Sequence, residues 1–289
     1  MSTWGISGPQ FLLLYVGLFA VTLLGAAETR RRALAPAEGA AVPARLDPYE
    51  AAYLNGGGAL VGTTAVSSLL RDGRLANAGG RRGRRVRLVA RTAPPAGAHP
   101  VEWAAHQEVS AHPGRPVNEV QAALGRSPAV AAVRERLRLG GLAPTPEQRA
   151  RCRATGLWFL PLMALGVARV AAGSANGRPV GFLVVLLAVT VVAGAALSLR
   201  VPHATGLGQA TLRRLRAETG RPAAGASPAE LGMATALYGA GVLWAADVET
   251  ALALRVPREH GAFLGGDGGG GSCGDGGSCG GGCGGGCGG

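Results

Sequence analysis

The stretch VGFLVVLLAVTVVAGAALSL, at positions 180–199, carries no charged side chain over its 20 residues. A helix of that length rises about 30 Å, which matches the hydrocarbon core of a bilayer. A second apolar stretch, GLWFLPLMALGVARVAA, lies just before it at positions 156–172. The turn-rich segment 173–179 between them is too short for anything except two neighbouring, antiparallel helices. The sequence therefore predicts a transmembrane hairpin over residues 154–199.

Two features inside this hairpin bear on its packing. Arg169 lies within one helical turn of the 173–179 turn, where its long side chain can reach the interface; a role in a proton relay or in gating is the alternative. Thr190, Gly194 and Ser198 are spaced by four and form a stripe of small residues. Such a stripe lets another helix pack closely, although an Ala- and Gly-rich chain also produces one by chance.

The N-terminus contains a third apolar stretch. Residues 11–27 carry no charge, and together with residues 6–10 they form a helix of about 33 Å. A cleaved signal peptide is the alternative, but Arg30, Arg31 and Arg32 follow the apolar run and no basic residue precedes it, the reverse of a secretory signal. Residues 1–27 are therefore predicted to be a transmembrane helix, and the fold to be a mainly α-helical membrane protein with three transmembrane helices.

The distribution of arginine predicts how these helices are oriented. Positions 1–10 carry no arginine and the 173–179 turn carries one, whereas the other ends of the spans are rich in it. Those arginines lie at positions 30–32, 149–153, 200 and 213–216. By the positive-inside rule, this is a multi-pass protein of the inner membrane with its N-terminus outside. Residues 28–153 and everything from position 200 onward are placed in the cytoplasm.

Region 28–153 is predicted to be helical because one type of helix start recurs. A capping residue precedes a proline at the first helical position, usually with Glu or Gln at the third. These starts are Asp47-Pro48, His99-Pro100, Ser127-Pro128, Thr145-Pro146 and, beyond the hairpin, Ser227-Pro228. Proline is tolerated there because the first amides of a helix have no intrahelical partner, and the cap and the acid satisfy the others.

Two of these segments also end alike, with LRDGRL at 70–75 and LRLGGL at 137–142. Each predicts a helix closed by glycine and an apolar residue that returns to the core, which suggests two related units at about 47–91 and 99–142. After the first, residues 84–91 alternate arginine with apolar side chains, as in a strand with one solvated face. Helices followed by such a strand resemble a winged-helix module, as a pattern only.

A cluster of arginines accompanies this predicted strand. It comprises Arg81, Arg82, Arg84, Arg85, Arg87 and Arg91. The cluster could contact DNA phosphates, anionic lipid headgroups or only solvent. Nucleic acid is the weaker choice, because the accompanying helix at 61–70 has almost no side chains that read bases. Moreover, all 29 basic residues are arginine, so the net charge of +12 reflects a compositional bias as much as a partner.

No arrangement of residues predicts an enzyme. Glu102 and His106 lie on one helical face, but their spacing is not that of a metalloprotease helix, and an ion pair is the simpler interpretation. The glycines at 56–58 and 62 follow a helical segment, not a strand, so a phosphate-binding loop is not expected. We find no combination of residues that predicts nucleophilic catalysis.

Residues 200–264 are predicted to form C-terminal cytoplasmic helices. Segment 208–217 is amphipathic, with two leucines beside three arginines, and is expected to lie against the membrane surface. Segment 231–246 carries no charge, but it is short, rich in Ala and Gly, and followed by two acids. We therefore interpret it as a buried or interfacial helix, with a fourth span as the alternative.

Residues 265–289 form a Gly-rich tail that is predicted to be disordered, because it has almost no apolar area to bury. It contains Cys273, Cys279, Cys283 and Cys287. In a reducing compartment these four thiols could bind Zn or Cu(I) or undergo redox chemistry. Their spacing is not that of a zinc ribbon, so a flexible tail without bound metal is the preferred interpretation.

The chain resembles a family of uncharacterised actinobacterial membrane proteins in six features taken together. These are the N-terminal span, the segment DPYEAAYL at 47–54, the glycine-closed units, the hairpin, the segment ALYGAGVLWAAD at 236–247 and the Gly/Cys tail. The resemblance implies a location and an architecture but no activity. We therefore expect a non-enzymatic binding or scaffolding protein whose partners are the lipid bilayer and a protein not identified by the sequence. The alternatives are metal or thiol handling by the tail and a membrane-tethered nucleic-acid-binding regulator.

Overall fold

A computed structural model describes residues 8–35, 45–78, 87–175, 181–220, 227–254 and 256. The described chain is mostly helical. Its helices are α1 (Gly8–Ala33), α2 (Pro48–Arg71), α3 (Pro100–Ala111), α4 (Val117–Gly125), α5 (Pro128–Leu139), α6 (Pro146–Ala154), α7 (Leu160–Ala175), α8 (Gly181–Leu199), α9 (Gly206–Thr219), α10 (Pro228–Tyr238), α11 (Leu243–Ala246) and α12 (Val248–Ala253). Two strands, β1 (Leu75–Asn77) and β2 (Leu88–Ala90), and short 3₁₀ helices at Thr155–Phe159 and Ala240–Val242 complete the described part.

Helices α1, α7 and α8 pack side by side as a bundle. The hydroxyls of Tyr15 on α1 and Thr190 on α8 are 3.2 Å apart. The rings of Phe19 on α1 and Phe159, just before α7, have centroids 5.9 Å apart. Phe11 of α1 also contacts Arg169 of α7, and Arg30 of α1 contacts Leu197 of α8. Helix α1 is therefore antiparallel to α7 and parallel to α8, so the start of α1, the end of α7 and the start of α8 lie at one end of the bundle. The rest of the described chain continues from the other end.

Helices α2–α5 and α9–α12 form a separate domain around α2, whereas α6 packs on α1, α8 and the 3₁₀ helix before α7. Its hydrophobic core contains residues 46–143 from before the hairpin and 204–256 from after it. Helix α2 contacts α3, α4, α5, α9 and α10, so it is the central element. The hairpin is therefore inserted into the middle of the sequence of this domain. As a result, the domain is tied to the bundle at the end of α1, at the start of α7 and at the end of α8.

Glycines allow α2 to approach its neighbours closely. A Cβ on Gly58 would lie 2.7 Å from the carbonyl oxygen of Gly125, and one on Gly62 would lie 3.0 Å from that of Gln121, both on α4. Gly57 has φ 66° and ψ −160°, which breaks the helical geometry and kinks α2. The glycines at 56–58 and 62 thus serve packing, in agreement with the prediction that they form no phosphate loop.

The predicted helix starts are confirmed at all five prolines, which begin α2, α3, α5, α6 and α10. For example, the Ser127 hydroxyl accepts from the amide of Val130 at 3.4 Å. The two predicted closures are also confirmed: Gly73 and Gly141 have positive φ of 67° and 70°. The units they close differ, however, because the first contains one kinked helix and the hairpin β1–β2, whereas the second contains α3, α4 and α5.

The strand predicted over residues 84–91 is present as β2. It pairs antiparallel with β1, with Leu75 opposite Ala90 and Asn77 opposite Leu88. Leu75 and Leu88 are buried, and the flanking Arg87 and Arg91 are exposed. Positions 81–86 lie outside the described residues.

The two C-terminal predictions have different outcomes. Segment 231–246 is helical, and α10 packs on α2 with Leu231 and Leu237 buried. It is not the single helix predicted, because α10 ends at Tyr238, Gly239 has a positive φ of 84°, and a 3₁₀ turn and α11 follow. The prediction that 208–217 lies on the membrane surface is wrong, because α9 buries Leu207 and Leu212 in the core of the domain. Its amphipathic face has a protein partner, which the sequence pattern cannot distinguish from a lipid one.

Candidate functional site

The outer surface of the three-helix bundle is apolar. Large hydrophobic side chains point outward along it, including Leu13 (73% exposed), Leu24 (70%), Phe182 (87%) and Val192 (67%). Within the described residues, three helical segments are long and apolar enough to cross a membrane, namely Gln10–Ala33, Pro146–Ala172 and Gly181–Leu199. Exposing so large a contiguous apolar surface to water is energetically unfavourable. This bundle is therefore the membrane-embedded part of the protein.

The stripe of small residues on α8 is a packing surface, as predicted. Gly194 is buried, and a Cβ there would lie 3.3 Å from Cβ of Phe159. On the facing segment, a Cβ on Gly156 would lie 2.8 Å from the carbonyl oxygen of Gly194 and would overlap the Ser198 hydroxyl. The backbones of α8 and of the 3₁₀ helix before α7 are thus nearly in contact, as small residues permit in membranes.

Arg169 does not extend to the interface, so that prediction is wrong. Its side chain is 9% exposed, and its guanidinium carbon lies 4.9 Å from the centroid of the Phe11 ring. This geometry is a cation–π contact that joins α7 to α1. The cation therefore stabilises the packing of the bundle near the start of α1 and the end of α7.

A cavity of about 450 Å³ lies where the bundle meets the domain. The last turn of α1, helix α6 and the following 3₁₀ helix form its walls. The lining residues are Thr29, Arg32, Ala33, Arg151, Ala154, Thr155 and Trp158. Two arginines from two different helices thus line one cavity. This cavity was not predicted from the sequence, although the arginines at the ends of the spans and Trp158 near the start of the 156–172 stretch were signals for it.

The arginines at this boundary differ in their partners. Arg30 donates to the carbonyl oxygens of Leu197 (3.1 Å) and Arg200, so it fastens α1 to the end of α8. Arg32 is paired with Glu28 at 2.8 Å, but its side chain is 80% exposed. In the part of the chain that the structure describes, Arg151 has no carboxylate or carbonyl partner. The cavity therefore contains one weakly held cation and one unpaired cation.

A second junction couples the end of α8 to the kink in α2. His203 lies in the connector after α8, and a Cβ on Gly57 would lie only 2.7 Å from its Cε1. Its ring centroid is 6.2 Å from that of Tyr53, whose hydroxyl accepts from Arg149 at 3.1 Å. Although His203 is partly exposed, desolvation of its imidazole and then the charge of Arg149 lower its pKa. The lowered pKa favours the neutral imidazole beside the kink.

The histidines and acids singled out in the sequence make structural contacts. His99 caps α3, because its Nδ1 accepts from the Val101 amide at 3.2 Å, while its Nε2 lies 3.1 Å from Asp47. The predicted Glu102–His106 ion pair is wrong, since Glu102 accepts from the Tyr49 hydroxyl instead. Both nitrogens of His99 are engaged, so it has no free atom for acid–base chemistry.

Tyr49 limits the stability of the domain at high pH. Burial, then its hydrogen bond to Glu102 and the charge of that carboxylate, hold the pKa of the Tyr49 phenol well above its usual range. In the unfolded chain this phenol ionises near pH 10, so its contribution to stability is complete below about pH 10 and is lost as the pH rises further. The chain contains no lysine, so few other groups titrate in this range.

We expect the free energy of unfolding to fall between about pH 10 and 12, where unfolded tyrosine is ionised. Tyr49→Phe should be less stable at neutral pH but should lose less stability over this alkaline interval. The free energy of unfolding is measured by chemical unfolding of the full-length protein in detergent at several pH values, followed by circular dichroism. Its slope against pH is then compared between wild type and Tyr49→Phe. Tyr238→Phe is the matched control, because the Tyr238 hydroxyl donates to a backbone carbonyl and not to an acid. Equal slopes for wild type and Tyr49→Phe would contradict the argument.

The other predicted site residues can be located only in part. Cys273, Cys279, Cys283 and Cys287 lie outside the described residues, as do Arg81, Arg82, Arg84 and Arg85. Among the described residues, no group of three or more His, Cys, Asp or Glu side chains is placed to hold a metal ion. Segment 61–70, considered as a recognition helix, has no exposed residue because it lies in the centre of the domain.

Comparison with known proteins gives no relative from which a function could be transferred. No protein-family description, curated protein or solved structure matches the chain. The function is therefore inferred from the geometry of the bundle, the domain and the junction between them.

Proposed function

We propose that the protein is a non-enzymatic scaffold that holds its helical domain against the cytoplasmic face of the inner membrane. The observation that carries this proposal is the insertion of an apolar hairpin into the middle of a well-packed domain. Three connections to the bundle keep the domain close to the bilayer and restrict its movement. Restricted movement is more typical of a binding platform than of a mobile enzyme. The resemblance to actinobacterial membrane proteins agrees with this architecture and adds no activity.

The distribution of charge supports the orientation. At the domain end of the bundle, the last turn of α1 carries Arg30, Arg31 and Arg32, and α6 carries two further arginines in its last turn. Cytoplasmic ends of spans are enriched in arginine, so the domain lies inside and the N-terminus outside.

Labelling of intact cells tests the orientation. In a variant that keeps Cys287 as the one tail cysteine, a membrane-impermeant maleimide should label an introduced Ser2→Cys in intact cells and Cys287 only after lysis. The remaining native cysteine, Cys152, is fully buried and should stay unlabelled under both conditions. Labelling of Cys287 before lysis would show that the tail is outside, and the proposed orientation would be lost.

A charge on the lipid-facing surface tests membrane integration. Val192 is 67% exposed near the middle of α8, and Val192→Arg should disfavour insertion by about 2.5–3.5 kcal/mol. The matched control is Leu139→Arg, because Leu139 is 74% exposed on the domain and should tolerate the charge. The measurement is the fraction of protein that resists extraction of membranes with alkaline carbonate. Equal resistance of both variants would contradict the membrane role of α8.

The scaffolding role itself needs a partner at the domain surface. A photo-crosslinking residue at position 139 should give discrete protein adducts in intact cells, whereas one at position 192 should give none because it faces lipid.

A winged-helix role for the domain has one favourable feature, the hairpin β1–β2 that follows α2. The burial of 61–70 in the core removes the helix that would read DNA, so we prefer a protein partner.

A further inference from the structure

The cavity between α1, α6 and the 3₁₀ helix is open, basic and placed at the membrane boundary. The charge-free run of α1 ends at Ala27, and the cavity is lined by Thr29 and Arg32 one turn later. Arg151 of α6 also lines this space. Its volume of about 450 Å³ lies within the range of small-molecule sites. We propose that this cavity binds the phosphate of an anionic phospholipid, with Arg32 and Arg151 as the two cationic contacts.

The charges favour an anionic group. A guanidinium donates paired hydrogen bonds to a phosphate, and two of them from separate helices can hold it from both sides. Arg151 has no acceptor among the described residues, and the exposed Glu28 is the acid that pairs with Arg32. A phosphate would therefore add a partner to Arg151 and compete with Glu28 for Arg32.

The apolar surroundings favour a lipid over a free phosphate ion. Trp158 lines the cavity with its ring against Gly25, and 49% of its surface stays exposed. Its neighbours Leu157 and Leu160 are 60% and 53% exposed. Tryptophan at the headgroup level with leucines beside it is the usual boundary of a membrane protein. An acyl chain would thus lie along apolar surface while its phosphate enters the basic cavity.

This inference depends on the membrane placement in the proposed function, but its test is separate. Full-length protein in an uncharged detergent is titrated with dihexanoyl phosphatidylglycerol, and heat is measured by calorimetry. We expect saturable binding that weakens about tenfold or more in the double variant Arg32→Gln, Arg151→Gln, because two charge-assisted hydrogen bonds are lost. Glu28→Gln should tighten binding, because Arg32 is released from its ion pair.

The matched control is the double variant Arg31→Gln, Arg153→Gln, which removes two charges from the same helices outside the cavity lining. It should keep the wild-type affinity within about twofold, since exposed charges that do not contact the ligand contribute little to affinity. Equal weakening in both double variants would mean that diffuse charge attracts the lipid, and the proposal would be wrong. Unchanged thermal stability of the lipid-free variants excludes a folding defect.

Two further ligands identify the source of the phosphate. Dihexanoyl phosphatidylcholine has the same chains without net charge and should bind at least about tenfold more weakly, because its choline repels the arginines. Inorganic phosphate lacks the chains and should also bind more weakly. Comparable binding of phosphatidylcholine, or of phosphate alone, would overturn the assignment to an anionic lipid. None of these outcomes changes the cysteine labelling pattern, so the two proposals can fail independently.

Discussion

Replacing Gly57 with alanine is expected to destabilise the helical domain by about 2–5 kcal/mol, the sum of backbone strain and a steric clash. Gly57 has φ 66° and ψ −160°, a conformation that residues with a Cβ rarely adopt. The added Cβ would also lie 2.7 Å from Cε1 and 2.9 Å from Nδ1 of His203. Because α2 contacts most other elements of the domain, a change in its kink cannot be absorbed locally.

Chemical unfolding of the full-length protein in detergent, followed by circular dichroism, measures this loss. Gly73→Ala is the matched control, since Gly73 also has a positive φ of 67°, but a Cβ added there would lie more than 4 Å from every atom in the described part of the chain. It should cost only about 1 kcal/mol. Adding His203→Ala to Gly57→Ala should remove the clash but not the strain, and so restore part of the stability. If Gly57→Ala were no worse than Gly73→Ala, the His203 contact would have no role.

Local chemistry explains the parts of the fold that could be predicted from the sequence. The spans follow from uninterrupted apolar runs, and the helix starts follow from a cap and a proline within a few residues. At α6, for instance, Thr145 and Gln148 exchange two hydrogen bonds of 2.9 and 3.2 Å across four residues. The closure at Gly141 likewise depends on the amide of Leu142, which donates to Leu137 at 2.9 Å. Such features need no knowledge of distant residues.

Features that depend on distant residues could not be predicted in this way. The sequence of α9 is amphipathic, but only the fold shows that Arg216 binds Asn55 and the carbonyl of Leu237. Glu102 has a plausible partner four residues away, yet its partner is Tyr49, 53 residues earlier. The cavity at the boundary joins residues near position 30 to residues near 155, and no local pattern relates them.

The second large effect is expected at the contact between α8 and the segment before α7. Gly156→Ala should lower the stability of the bundle by about 2–4 kcal/mol, because overpacking forces one of the two segments to move. The new Cβ would overlap the Ser198 hydroxyl and lie 2.8 Å from the carbonyl oxygen of Gly194. A backbone atom cannot rotate away as a side chain can. The apparent unfolding temperature in mild detergent is the measurement.

Gly181→Ala is the control for this prediction, since Gly181 begins α8 and a Cβ there would meet no atom of the described residues within 4 Å. It should leave the unfolding temperature unchanged. Adding Ser198→Gly to Gly156→Ala should remove the overlap with the hydroxyl and recover part of the loss, while the close carbonyl of Gly194 keeps the rest. Full recovery would mean that the backbones are not as close as the structure has them.

Because Gly156 lies between α6 and α7, movement at this contact should also displace Thr155 and Trp158, which line the boundary cavity. Gly156→Ala should therefore also weaken binding of dihexanoyl phosphatidylglycerol at that cavity.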